Sequence, residues 1–185
     1  DGQPAVQVSV LDVTEQLFLE EKLTYQANHD SLTGLHNRRF MTTTLENRHS
    51  LDQSMSCILI DLDDFKSVND KYGHSGGDKT LKAFAAVLNE VLGDQAFSAR
   101  WGGEEFIVCM SDYKYEQALC YAQAIRSKVN KWRFKEATTA SFGVACSSDE
   151  DSNYNAMIQR ADRALYEAKR LGKNCIVTTD NDFYS

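Results

Sequence analysis

Residues 97–110, Phe97-Ser-Ala-Arg-Trp101-Gly102-Gly103-Glu104-Glu105-Phe106-Ile-Val-Cys-Met110, decide the fold. Two strand-length segments, 97–101 and 105–110, flank Gly102-Gly103, a dipeptide suited to a tight hairpin turn. A second apolar run, Ser56-Cys-Ile-Leu-Ile-Asp61-Leu62, reads as a buried strand over 56–62. Between them lie a short helix near 64–71 and a longer one over 76–92. The longer one sets Leu81, Phe84, Ala85, Leu88 and Leu92 on one face. A helix over about 37–48 precedes this block. A helix over 113–131, a strand over 137–146, a helix over 153–171 stopped by Gly172, and a last strand over 174–178 follow it. That order predicts an α+β domain with helices covering a mostly antiparallel central sheet.

The N-terminal residues read differently. Val6, Val8 and Val10 alternate with polar neighbours, the pattern of a strand over 5–13. Asp12-Val-Thr-Glu15 then opens a helix that runs to about Ala27. Its apolar positions, Leu17, Leu19 and Leu23 with Phe18 and Tyr25 beside them, span only about two turns, which suits a connecting helix better than a sustained coiled coil. The chain opens at Asp1 without an initiator Met, so a fragment is expected, with 1–27 the stub of an upstream domain and 28–185 a second unit.

The 185 residues include 20 Lys+Arg and 27 Asp+Glu, a formal charge of -7, which argues against gripping nucleic acid through a basic surface. The five cysteines (Cys57, Cys109, Cys120, Cys146, Cys175) show no C-x-x-C spacing. A zinc site or disulfide framework is therefore not expected, and reduced thiols of a cytoplasmic protein are. The apolar runs are too short to cross a bilayer, although a parent chain is free to be tethered to a membrane upstream.

Four clusters carry possible chemistry. Asp61, Asp63 and Asp64 end a strongly apolar strand, and residues two apart share a face, so Asp61 and Asp63 can point one way. Such oxygen ligands suit Mg²⁺ or Mn²⁺; equally, they can simply end the strand and cap the next helix. In the hairpin, consecutive glutamates on a strand point to opposite faces, and Glu104, nearer the turn, is the expected site residue beside a close-approach Gly103. Asn69 and Asp78 are turn and cap types, yet a carboxylate that accepts from two adjacent N–H groups also matches the guanine edge. Residues 160–173 gather Arg160, Arg163, Lys169, Arg170 and Lys173. Lys169 and Lys173, four apart, complement the helix dipole or meet a polyphosphate.

In order, these motifs resemble the GGDEF-type diguanylate cyclase domain. Asp30-Ser-Leu-Thr-Gly-Leu-His-Asn-Arg-Arg-Phe40 is similar to the family's opening motif, and Asp61 through Asp78 to its metal and guanine stretch. Gly102-Gly103-Glu104-Glu105-Phe106 is similar to the signature in its Glu variant, and Ala161 through Lys169 to the closing helix. The resemblance covers about 28–178. It implies a sheet like that of nucleotidyl cyclases and polymerase palms. It implies that Asp61, the Leu62 carbonyl and Glu104 hold Mg²⁺, with Mn²⁺ as a substitute, and that Asp61 and Glu104 are catalytic. Asn69 and Asp78 would read guanine, and Lys169 and Lys173, assisted by Lys66, would hold the terminal phosphates. Asp63, Glu105 and His74 receive no role.

The implied reaction joins two GTP into cyclic di-GMP with release of pyrophosphate, one GTP per domain. A homodimer with antiparallel active sites is then required, steadied by the N-terminal helix. A catalytically silent GTP-binding regulatory domain is the alternative. Asp12-Val-Thr-Glu15 is similar to the exit of a PAS-type sensor, which implies control from upstream through a signalling helix. The family's product-inhibition motif, R-x-x-D, falls on Gly93 to Ala96, where both outer residues differ, and the sequence leaves open whether product inhibition exists.

Overall fold

The computed structural model describes residues 12–50, 54–111, 115–131, 138–178 and, for the backbone, 183–184. The alternating segment expected over 5–13 lies almost wholly outside them. Helix α1 (Thr14–Asn28) leads to a two-residue strand β1 (His36–Asn37) and α2 (Arg38–Ser50). Then follow β2 (Met55–Leu62), α3 (Phe65–Leu92), a 3-10 turn (Gly93–Gln95), and the hairpin β3 (Phe97–Gly102) and β4 (Glu105–Ser111). The rest is α4 (Tyr115–Asn130), β5 (Ala140–Cys146), α5 (Tyr154–Arg170), β6 (Ile176–Thr178) and β7 (Phe183–Tyr184).

The strands form one sheet in the order β1-β3-β4-β2-β5-β6-β7. Strand β2 is central, antiparallel to β4 on one side and β5 on the other; β1 with β3 and β5 with β6 are the parallel pairs. All eight β2 residues are buried, which explains why its sequence runs apolar without alternating: both faces are covered. Ile58, Ile60 and Leu62 pack with Phe106, Val108 and Phe142 under α3 and α4. Cys57 and Leu59 pack with Ile107 and Cys109 under Met41 and Leu45 of α2 and Met157, Ala161 and Leu165 of α5. Each fully buried Leu or Ile in these layers contributes roughly 1.5–3 kcal/mol.

The two helices expected over 64–71 and 76–92 form one element, α3, interrupted at Gly73 (φ 69°, ψ 173°), a backbone state that glycine reaches without strain. Strand β5 starts at Ala140, after Thr138 and Thr139, while position 137 of the expected strand lies outside the described residues; β6 starts at Ile176 rather than 174. Asn174 is instead in the left-handed region. Helix α1 buries none of its residues: Leu17, Phe18, Leu19, Leu23 and Tyr25 are 54–68% exposed. All five cysteines are free thiols. No helix among the described residues is long and apolar enough to cross a membrane.

Candidate active site

The acids gather at one end of the sheet because β2 ends there. Asp61 is 7% exposed and lies between Glu105 on β4 and Ser141 on β5, its register partners. It continues the Cys57–Leu59 face, which α5 covers, and there Lys169 Nζ stands 2.7 Å from Asp61 Oδ2. Burial pushes the Asp61 carboxyl above its ordinary value. The hydrogen bond and charge of Lys169 oppose this, and the charges of Glu104 and Glu105 add to it. A carboxylate kept charged here therefore needs further positive charge.

Glu104 is not on a strand. It shares the hairpin turn with Gly103 (φ 52°), while β4 starts at Glu105. The alternation rule for consecutive strand residues therefore does not apply to this pair. Glu105, exposed and opposite Asp61 in register, occupies the Asp61 face, and Glu104, half-buried, acts on Asp61 through its charge from the turn. The Leu62 N–H donates to the Glu104 carbonyl (3.3 Å), which ties the turn to the end of β2. Arg100 steadies it from the other side: its Nε donates to the Gly103 carbonyl (2.9 Å), and its Nη1 meets Asp30 Oδ2 at 3.3 Å. Burial pushes Asp30 up, but bonds from Thr33 and the Arg100 charge outweigh it and hold the carboxyl below its ordinary value. The loop after α1 is thus wired to the glutamate turn.

The predicted phosphate lysines converge from the other edge. Lys173 follows α5 and places Nζ 2.5 Å from Asp64 Oδ1, a contact that raises the lysine above its ordinary value. Asp64, at φ 53°, turns the chain from β2 into α3, where Lys66 is exposed on the first turn. Asn69 is half-buried one turn further on, and the break at Gly73 folds the second half of α3 back, so that Gly77 abuts the Asn69 carboxamide. Asp78, next along, is exposed. Asn69 and Asp78, nine positions apart in sequence, are thereby brought to neighbouring turns. His74 is exposed beside the break and joins no described contact of the site.

Asp63, given no role by the sequence, is 4% exposed and accepts from Thr139 Oγ1 (2.6 Å), Ser141 Oγ (2.7 Å) and the Asn174 N–H (3.0 Å). Gly93 and Ala96 line a cavity of about 340 Å³ with His29, His36, Asn89 and Asp94; among the described residues no arginine lines it.

The donor set fits a magnesium ion. The charges of Glu104 and Glu105 act on Asp61, yet among the described residues no three His, Cys, Asp or Glu side chains are gathered closely enough to hold a metal alone. Mg²⁺ is commonly held by one or two carboxylates, with water and substrate phosphates completing its shell.

Fold and site define a palm-like α+β domain. Residues 27–175 match the family described as "Diguanylate cyclase, GGDEF domain". The chain is 41% identical over 176 residues to diguanylate cyclase DgcM of Escherichia coli K12, covering 91% of this chain and 42% of that protein. It is 40% identical over 159 residues to the response regulator PleD of Caulobacter vibrioides, covering 80% of this chain and 35% of PleD. Among solved structures, the coiled coil and GGDEF domain of DgcB from Caulobacter crescentus, in complex with c-di-GMP, aligns with a TM-score of 0.82 and 28% identity, covering 90% of this chain and 93% of that one. The chain belongs to the GGDEF diguanylate cyclase domain family. It spans less than half the length of these two curated relatives.

Proposed function

We propose that this domain condenses two GTP into cyclic di-GMP, releasing two pyrophosphates, as a homodimer with one GTP in each of two facing sites. The observation that carries this reading is the Asp61–Lys169 pair at a buried strand end, with Glu104 and Glu105 close enough to act on it. GTP carries about four negative charges, and an acidic site accepts it only with cations between carboxylate and phosphate. Asp61, the Leu62 carbonyl and Glu104 would hold Mg²⁺, or Mn²⁺ in its place. When bound, the ion polarises the α-phosphate and acidifies an approaching hydroxyl.

The chain's own residues do the remaining work. Lys169 and Lys173, with Lys66, bind the β- and γ-phosphates and steady the departing pyrophosphate. Asp78 accepts from the adjacent N–H groups of guanine, and Asn69 adds a mixed contact. Gly103, with no side chain in an exposed turn, leaves room for the second molecule. The 3′-oxygen of the GTP held by the opposite domain bonds to the α-phosphorus as its proton leaves and the bond to pyrophosphate breaks. Two such steps close the ring, so dimerisation is part of catalysis.

The exposed Leu17, Phe18, Leu19 and Leu23 on α1 support pairing of this helix with that of a second copy. Residues 1–27 are read as the end of a PAS-like sensor and its signalling helix, and 28–185 as the catalytic domain. The Asp30–Arg100–Gly103 wiring supports control from that side. GTP is a nucleotide of the cell interior, so the domain works in the cytoplasm. The test is incubation with GTP and Mg²⁺, assaying dinucleotide and pyrophosphate beside Glu104→Ala. Cyclic di-GMP with two pyrophosphates per product, lost in the variant, is expected. Bound GTP without turnover at high protein concentration would instead establish a silent GTP receptor.

A further inference from the structure

The second carboxylate of an Asp-x-Asp pair at a strand end invites assignment as a second metal ligand, and here the geometry points elsewhere. We infer that Asp63 is a positioning residue: its buried carboxylate latches the Lys173–Asn174 loop to the end of β2, aiming Lys173 at the nucleotide's terminal phosphates, and it does not ligate the metal. The inference rests on the phosphate role proposed for Lys173.

A carboxylate offers about four acceptor positions. Three of those on Asp63 are filled: Oδ2 by Thr139 Oγ1 and the Asn174 N–H, Oδ1 by Ser141 Oγ. Its own N–H donates to the Thr139 carbonyl (2.9 Å), so backbone and side chain are both tied to the lead-in of β5. Three donors satisfy a buried charge without any cation.

What the latch holds is strained. Lys173 (φ 67°) and Asn174 (φ 48°) are consecutive non-glycine residues in the left-handed region, a conformation that persists only when its surroundings enforce it. Three bonds hold this turn: the Lys173 N–H donates to the Ala168 carbonyl at the end of α5 (3.1 Å), the Asn174 N–H donates to Asp63, and the Asn174 carbonyl accepts from Arg126 Nε at 2.7 Å; the Asp63 bond is the one that ties it to the end of β2. This turn sends the Lys173 side chain back over the sheet end to Asp64, beside the strand that carries Asp61. Without the Asp63 acceptor the loop relaxes and the ammonium loses its aim.

Two substitutions separate positioning from ligation. In Asp63→Asn the amide oxygen still accepts from Thr139 and Asn174, and the Ser141 hydroxyl turns round to accept from the new NH₂. The latch survives, and any metal bond does not. Asp63→Ala removes both. The probe is 3′-deoxy-GTP, which binds but cannot condense, and the second readout is hydrogen exchange at the Asn174 amide.

Wild type and Asp63→Asn are expected to protect the Asn174 amide, to bind 3′-deoxy-GTP within about threefold of each other, and to share one Mg²⁺ requirement for turnover. Asp63→Ala loses that protection and binds about tenfold more weakly, Lys173→Ala weakens by a similar factor, and the double variant is no weaker than either. A Mg²⁺ requirement raised tenfold or more in Asp63→Asn would overturn the inference, as would additive losses in the double variant, or an Asn174 amide that exchanges freely in the wild type. The wild-type exchange and Asp63→Asn remain decisive even if Asp63→Ala does not fold. A wild type that binds 3′-deoxy-GTP yet makes no product from GTP would end the cyclase reading and leave the latch to be judged on binding and exchange.

Discussion

Gly77→Ala isolates the part of the site proposed to read guanine from the rest. Gly77 is buried in the second half of α3, and an added Cβ would lie far inside van der Waals distance of Asn69 Oδ1 and 3.0 Å from the tip of the Phe65 ring. Ala is otherwise favoured over Gly in a helix by up to about 1 kcal/mol, which offsets some of the crowding, so the fold should survive with little change in Tm. The carboxamide is the movable partner and must retreat by about 1 Å or more to reach ordinary contact. A hydrogen bond stretched from about 2.9 Å by that amount is lost. Losing it while leaving a buried guanine group unpaired costs about 1–2 kcal/mol, a five- to thirtyfold rise in the KM for GTP.

The assay compares KM and kcat for GTP in Gly77→Ala, Asn69→Ala and the double variant. Both singles should raise KM similarly, leave kcat within about threefold, and combine without further loss because they remove one interaction. A Gly77→Ala enzyme with wild-type KM, beside an impaired Asn69→Ala, would refute the claim that Gly77 sets the Asn69 carboxamide. Unchanged KM in Asn69→Ala itself would remove Asn69 from the site.

Three more outcomes follow from contacts outside the base site. Arg100→Ala frees the Gly103 carbonyl and Asp30 together, so kcat should fall about tenfold with a stability loss of about 1–2 kcal/mol; Arg100→Lys, which keeps the charge but not the fork, should recover only part, as read by turnover and thermal melts. Gly143→Ala places its Cβ against the Ala161 carbonyl and the Leu165 backbone of α5, which cannot yield as a side-chain tip can. It should cost about 3 kcal/mol in denaturant titrations and displace Lys169, whereas a stable, active variant would mean that α5 is free to slide on β5. Arg160 grips Asp151 through both oxygens (2.5 and 2.7 Å), and this bond holds the Asp151 carboxyl below its ordinary value of 3.8. Because the folded-state value is the lower one, the stabilisation is complete above the unfolded value and fades as pH falls through the folded one. Denaturant midpoints from pH 6 to pH 3 should therefore fall more steeply for the wild type than for Asp151→Asn.

Much of the fold was legible because its central elements are long and their patterns agree: the β2 run, the Gly-flanked hairpin and the helical spacing in α3 each point to one arrangement. Strands β1 and β7, two residues each, carry no period to read. The face of Glu105 was hidden for a related reason. Phe106-Ile-Val-Cys-Met110 is apolar on both sides, so only pairing with β2 reveals its parity, and the turn takes Glu104 out of the strand. Asp61 and Lys169, expected at one site through the family resemblance, meet at 2.7 Å. Asp63 was opaque because its partners lie 76, 78 and 111 positions away, and Arg100 because its acid lies 70 positions back. Local patterns mark groups capable of chemistry; only tertiary partners show which of them are already satisfied.

The proposed function seats a metal on Asp61, between an acidic domain and a polyanionic substrate. Mn²⁺ uptake, followed by its EPR signal in the presence of 3′-deoxy-GTP, tests that seat without requiring turnover. The wild type should take up Mn²⁺ with the nucleotide, and Asp61→Asn, folded by circular dichroism, should take up little. Equal Mn²⁺ uptake by wild type and Asp61→Asn would mean that Asp61 does not seat the metal.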